Sequence, residues 1–416
     1  MVKIGVIGAG VSGLVSAYLL REDHDVEVLE ANDYAGGHTH TKDVELEGRE
    51  YAVNTGFIVF NKPNYPNFLK LIEALDVPYQ PTAMSFSVKN LRSGLEYGFA
   101  TLNAVFAQRK NIFSPSFIKM LREINRFHKE FDSLLADEGS WDRTLGEYLT
   151  EKGYSQRFVD DFLIPFGAAI WSADPDKMGQ FPLMTFVEFF RNHGFLAESE
   201  LLQWYTITGG SREYARKIES LLGDRIVRNA KVTSVERLSD GIGVTTESGL
   251  DRKYDEVIIA AHSNQALEML KDPTGLEKEI LGAMPYQPND VVLHTDVSVM
   301  PVHRQTWSSW NYCIPVDPKA RCTATYDMNI LQSIESEYEF LVSLNLCEDV
   351  DPAGVLDRYV YDHPIYLKEG VAAQKRHLEI SGVDRIHYAG AYWGYGFHED
   401  GVKSALAACK PFGKSL

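Results

Sequence analysis

The strongest constraint on this chain lies in its first thirty residues. Val2–Ile7 is a short apolar run of the kind buried inside a parallel sheet. It leads into Gly8-Ala9-Gly10-Val11-Ser12-Gly13, a G-x-G-x-x-G. Leu14, Ala17, Tyr18 and Leu20 then mark the apolar side of a helix, and a second strand, Val26–Leu29, ends on Glu30. Strand, loop, helix, strand and terminal acid follow the order of a dinucleotide-binding βαβ unit. Gly8 permits a tight turn, Gly10 leaves room for a pyrophosphate, and Gly13 lets helix and sheet pack closely. Val11 and Ser12 open the helix, whose free N–H groups and positive dipole end suit phosphates. Glu30, followed by Ala31, is placed to accept hydrogen bonds from ribose hydroxyls.

NAD and FAD share this fingerprint, so the residues beyond Glu30 must separate them. The acid is followed by Asn32-Asp33-Tyr34-Ala35-Gly36-Gly37-His38-Thr39. A second glycine pair here lets the backbone run close to the cofactor again. The segment resembles the E-x-x-x-x-x-G-G-[R/H]-x-x-T signature of the amine-oxidase-type FAD flavoproteins. His38 stands where many members carry arginine. The resemblance continues at Asn54-Thr55-Gly56-Phe57-Ile58-Val59-Phe60 and implies that Gly56, Phe57 and Ile58 pass the isoalloxazine ring. It implies that Val232 offers its backbone to the adenine. It also implies a closing motif, with Gly390 ending a strand and Gly401-Val402 in a helix start. There the amides around Asp400, Gly401 and Val402 would face the flavin's N1 and O2, and a side chain added at Gly401 would crowd the ring. Family members usually have an acid directly after the strand glycine; this chain has Ala391.

The resemblance narrows when these motifs are joined with Phe189–Gly194 and Gly396–Gly401. Together they resemble a group of predicted NAD/FAD-binding proteins associated with cyclopropane-fatty-acid synthase genes. That resemblance implies FAD and a lipid-like substrate, such as an unsaturated or methylated acyl chain. Nothing in the residues flags a covalent flavin link, and Cys409 lies too deep in the last helix to form one, so the FAD is expected to be non-covalent. An amine oxidase, a double-bond isomerase and a non-catalytic flavin-binding subunit are the alternatives. His398 is a candidate for proton transfer, because a histidine titrates near neutrality. His294 is a candidate for the place that many amine oxidases give to a lysine.

The fold expected is α/β, a Rossmann-type FAD domain of the glutathione-reductase kind interleaved with a substrate domain of mixed sheet and helices. The cofactor domain is assigned to residues 1–78, 205–284 and 367–416, and the substrate domain to 79–204 and 285–366. Phe117, Met120, Leu121, Ile124, Phe131 and Leu134 recur at helical spacing in the latter. Pro165 and Gly167 are expected to break a helix, and Ser211 to cap one.

The net charge of −17 argues against a nucleic-acid partner and does not favour an anionic membrane surface overall, though a local basic patch could still dock there. Cys313, Cys322, Cys347 and Cys409 form no metal-binding or redox spacing, so no metal is expected and the thiols are read as reduced. A cytoplasmic protein, with peripheral membrane contact as an option, is the location expected.

Overall fold

The computed structural model describes residues 1–194, 202–317, 321–346 and 348–416. Cys347 lies outside them; the other three cysteines are buried free thiols. The N-terminal unit forms as its pattern predicts: strand Lys3–Ile7, helix Val11–Leu20 and strand Asp25–Leu29. These join a five-stranded parallel sheet in the order 226–227, 25–29, 3–7, 256–259, 386–388. Alternation along each strand divides its side chains between two cores. Ile4, Val6, Val26, Val28 and Ile258 face the helices Val11–Leu20, Arg212–Leu222 and His398–Cys409. Ile7, Leu29, Val257 and Ile259 face a three-stranded antiparallel meander, residues 232–254. Gly5 is part of that second face, where the Tyr254 ring lies 2.7 Å from any Cβ the position could carry.

The other large sheet has seven strands, in the order 355–364, 286–294, 341–344, 324–327, 310–314, 86–90, 95–98. It is antiparallel except where 310–314 runs parallel to 86–90. Helices 115–135, 145–151 and 183–192 form the aromatic core over it. The α/β class and the mixed second sheet are those expected. A small antiparallel sheet, in the order 60–61, 204–207, 79–82, joins the two regions.

Two local expectations are corrected. Pro165 and Gly167 do not break the helical run, which continues from Gln156 to Trp171. Residues 159–163 widen into a π turn before Pro165, which shifts the register where proline supplies no N–H. Gly167 meets a packing need, since a Cβ there would lie 2.6 Å from Met178 and 3.0 Å from Phe186. Ser211 precedes the helix Arg212–Leu222 but does not cap it. Its hydroxyl and amide both donate to Asn54 Oδ1, at 3.2 and 2.9 Å.

Candidate cofactor and active site

The glycine loop divides its tasks as the spacing predicts. Gly8 has φ +98°, and a Cβ there would sit 2.7 Å from the Ala260 carbonyl. A Cβ on Gly13 would fall 1.9 Å from the Gly8 carbonyl oxygen, so this glycine sets the approach of helix to strand. Gly10 differs: a Cβ there meets nothing within 4 Å. It stands at the N-cap of Val11–Leu20, where no side chain satisfies the first amides. An uncapped helix start facing open space beside a glycine is what a pyrophosphate requires. Gly37 (φ +57°) brings the second glycine pair over this loop, so close that a Cβ on it would lie 3.1 Å from Gly10 Cα.

Glu30 is buried at the end of its strand. Its Oε2 accepts the Ala9 amide at 2.6 Å and its Oε1 the Asn32 amide at 2.8 Å. The carboxylate is thereby fixed beside the glycine loop, with lone pairs left for ribose hydroxyls. Ala31 is exposed next to it. The Ala230 amide donates to the Glu30 carbonyl at 2.7 Å, which brings Val232, first residue of the meander, toward the same end.

A cluster of aromatic and imidazole rings continues from this end. His38 lies 4.9 Å from Tyr361, 5.6 Å from His363 and 5.9 Å from His262, centroid to centroid. His262 stacks on Tyr286 at 4.6 Å. Burial pushes His38 and His262 down to about 4 and His363 to about 3, each helped by a neighbouring histidine. His38, which stands where the resembled signature often has arginine, is therefore a neutral ring near pH 7. Three buried polar atoms here have no hydrogen-bond partner: His38 Nε2, His262 Nδ1 and Tyr366 Oη. Orphaned buried donors and acceptors are rare in a folded protein. Together with the uncapped helix start and Glu30, they fit a large neutral-edged heterocycle carrying a dinucleotide tail, as FAD does. Tyr361, His363, Tyr286, Tyr366 and Tyr392 were not among the residues expected from the sequence. The i, i+2 spacing of Tyr359, Tyr361 and His363 was the available signal, because a strand puts such residues on one face.

Other residues take different roles from those expected. His398 is stacked on Phe57 at 3.6 Å, and its Nε2 lies 2.9 Å from Thr39 Oγ1 and 3.1 Å from Tyr214 Oη. Burial pushes it down to about 3, and its ring pins these segments together. Thr39 belongs to the same pin, with its hydroxyl on Tyr214 and His398. His294 is engaged at both nitrogens, by Ser343 Oγ at 2.8 Å and the Asp296 amide at 3.1 Å, and burial holds it at about 4. It has no nitrogen free to stand in for a catalytic lysine. Ser12 Oγ donates to the Gly401 carbonyl at 3.0 Å and is not free for phosphate.

The closing helix begins at His398, three residues ahead of Gly401. The Gly401 amide therefore donates to the Phe397 carbonyl at 3.1 Å. Val402 is buried in the helix-side core. The unengaged first-turn amides are those of His398, Glu399 and Asp400. A Cβ on Gly401 would meet Val11 Cγ1 at 2.5 Å, so the glycine keeps two helices close and a side chain there would strike the first helix. Asp400 accepts the Tyr395 and Phe397 amides, at 3.0 and 3.1 Å, and burial raises its carboxyl to about 6. Gly390 ends its strand with its amide on Ser404 Oγ at 2.8 Å and the Tyr392 ring folded over its Cα. Gly56 crosses the His38 carbonyl, 2.2 Å from where a Cβ would be, and the Phe57 amide donates to that carbonyl at 2.7 Å. Ile58 accepts the Thr206 hydroxyl at 2.8 Å and packs on the aromatic core.

That core reaches the cofactor end through Phe397, which lies 5.0 Å from Phe189 and stacks on it. Trp171 lies 4.8 Å from Phe189, and Phe186 stacks on Phe190 at 4.1 Å. Among the described residues no group of histidines, cysteines and carboxylates is arranged to hold a metal ion.

Residues 11–303 match the family model described as flavin containing amine oxidoreductase. Bovine flavin-containing amine oxidase A is 26% identical over 257 residues, which is 59% of this chain and 47% of that protein. The chain thus spans about half the length of the curated relatives it matches. Among solved structures, cyclohexylamine oxidase from Brevibacterium oxydans IH-35A superposes with a TM-score of 0.70 at 16% identity, over 99% of both chains. A CLA-producing fatty acid isomerase from P. acnes gives a TM-score of 0.70 at 14% identity, over 99% of this chain and 98% of that one. These likenesses establish a shared fold.

Proposed function

The chain belongs to the flavin containing amine oxidoreductase family, with FAD as its cofactor, and we propose that it is an oxidoreductase acting on an apolar, acyl-type substrate. FAD held at this site would supply a hydride acceptor at flavin N5. This chain's residues bind and orient. The uncapped amides at Val11 would hold the pyrophosphate, Glu30 the ribose, and the unpartnered Tyr366 hydroxyl and His38 Nε2 the polar edge of the ring. Phe189, Phe397 and Trp171 pack as an aromatic wall beside that end.

The observation that carries the acyl reading is the continuous aromatic wall ending at Phe397, one residue before the closing helix. A desaturation or related change on an unsaturated, methylated or cyclopropane chain suits it, and a fatty acid isomerase shares the fold. Amine oxidation is the second reading, favoured by the family match and by bovine amine oxidase A. The purified protein is expected to be yellow and to release intact FAD on acid precipitation; recovery of FMN would remove the cofactor assignment. Unsaturated or methyl-branched phospholipids should bleach the flavin anaerobically, whereas primary amines should not. Bleaching by amines alone would exchange the two readings.

Glu30→Gln tests the ribose contact. Losing a charge-assisted hydrogen bond should weaken FAD binding by about 1.5–3 kcal/mol. The glutamine can keep one of the two amide bonds, so the apoprotein's melting temperature should change less than its FAD affinity. An unchanged dissociation constant would make Glu30 a purely structural brace for Ala9 and Asn32.

A further inference from the structure

Two stretches of this acidic chain contain no acidic residue. Residues 97–122 hold Arg109, Lys110, Lys119 and Arg122, and residues 297–316 hold Arg304, with no aspartate or glutamate in either, against a net charge of −17 overall. The fold brings them together. Helix Leu102–Val105 packs against the turn Arg304–Thr306. The nearby Glu96 is covered from within this face: it accepts the Val302 amide at 3.0 Å, the His303 amide at 2.9 Å and His303 Nδ1 at 2.6 Å. Arg109 donates to the Phe106 carbonyl at 3.0 Å and to Asn103, which draws the helix and the following turn into one surface.

That surface also carries large apolar side chains in solvent. Leu102 is 76% exposed, Phe113 85% and Val302 83%. Apolar side chains protruding beside cations, with no acid among them, match an anionic bilayer: the former enter the headgroup boundary and the latter meet lipid phosphates. We propose that the face formed by residues 99–113 and 302–304 docks this protein on anionic phospholipid membranes. The inference goes beyond the acyl reading and stands without it. Phe106, on the same segment, packs 6.0 Å from Phe117 of the aromatic core, so the docked face adjoins the helical region.

Cosedimentation of the FAD-loaded full chain with vesicles tests this. One set is phosphatidylcholine alone and the other equal parts phosphatidylcholine and phosphatidylglycerol. The parent should partition at least about tenfold more strongly onto the anionic vesicles, and raised salt should weaken it. Leu102→Ser with Phe113→Ser should lose that binding, and so should Lys110→Glu with Arg304→Glu, with flavin content retained in both. Leu378→Ser, at a position 79% exposed on a different turn, should bind as the parent does. No binding of the parent to anionic vesicles overturns the proposal, as does binding that either double variant leaves intact. A concentration-dependent dimer abolished by the same substitutions overturns it too, because a second copy would then be the occupant.

Discussion

Gly10→Ala should leave the apoprotein's melting temperature within about 2 °C of the parent, a surface-type effect, and should weaken FAD binding by two orders of magnitude or more. The contrast follows from geometry. The new methyl meets no protein atom within 4 Å, and φ at Gly10 is −70°, which alanine adopts without strain. It projects instead beside the uncapped amides where the pyrophosphate must approach. Gly13→Ala should behave oppositely, because its methyl would fall 1.9 Å from the Gly8 carbonyl oxygen. The helix Val11–Leu20 must then withdraw from its sheet, and stability and flavin content should fall together. Calorimetry of the apoproteins with fluorescence titration of FAD separates the two. Equal losses of stability in both variants would show that Gly10 packs against protein and does not border a ligand.

The second large effect is acid instability. His38, His193, His262 and His294 are held at about 4, and His363 and His398 at about 3, in each case chiefly by burial. In the unfolded chain a histidine titrates near 6.5. These groups therefore contribute stability that is present above about pH 6.5 and is lost as the pH falls toward their folded values. Asp400 and Asp327 work in the opposite sense, since burial raises them to about 6 and about 7; their contribution is present at low pH and lost as the pH rises through those values. Asp161 is raised as well, and His40, His377 and His387 are depressed, so nine depressed histidines outweigh three raised carboxyls. A full shift of one such histidine corresponds to about 3 kcal/mol, and a domain's whole stability is about 5–15 kcal/mol. The chain should unfold before all of these rings titrate in place. The melting temperature should drop by more than about 10 °C between pH 7 and pH 5. A flat profile over that range would mean the rings titrate in the fold as they do in the unfolded chain.

The N-terminal unit was legible because its geometry is local. Gly8 and Gly13 answer to a turn and a close approach within the first thirty residues, as their spacing implied, and Glu30 is fixed by the nearby Ala9 and Asn32 amides. The histidines were less legible because their surroundings come from distant segments. His398 looks like a shuttle in sequence, yet Thr39 and Tyr214, far away along the chain, occupy its nitrogen. Gly401 looks like a ring contact until Val11 is seen beneath it. The tyrosines and His363 on strand Val355–Pro364 lie in no motif, and only the strand alternation marks them.

The hydrogen bonds from Ser12 to Gly401 and Ser404 span 389 and 392 residues. The strand Ile386–Tyr388 likewise completes a sheet whose first members are made at the opposite end of the chain. At about 5–20 residues per second, the ribosome needs roughly 20–80 s to connect the two halves of this contact. Until residues 226–227 and 256–259 have been made, strands Asp25–Leu29 and Lys3–Ile7 each lack a neighbour on one side. Flavin capture on these terms is a late event in biosynthesis, and the nascent chain is a natural client for chaperones that shield unpaired strand edges.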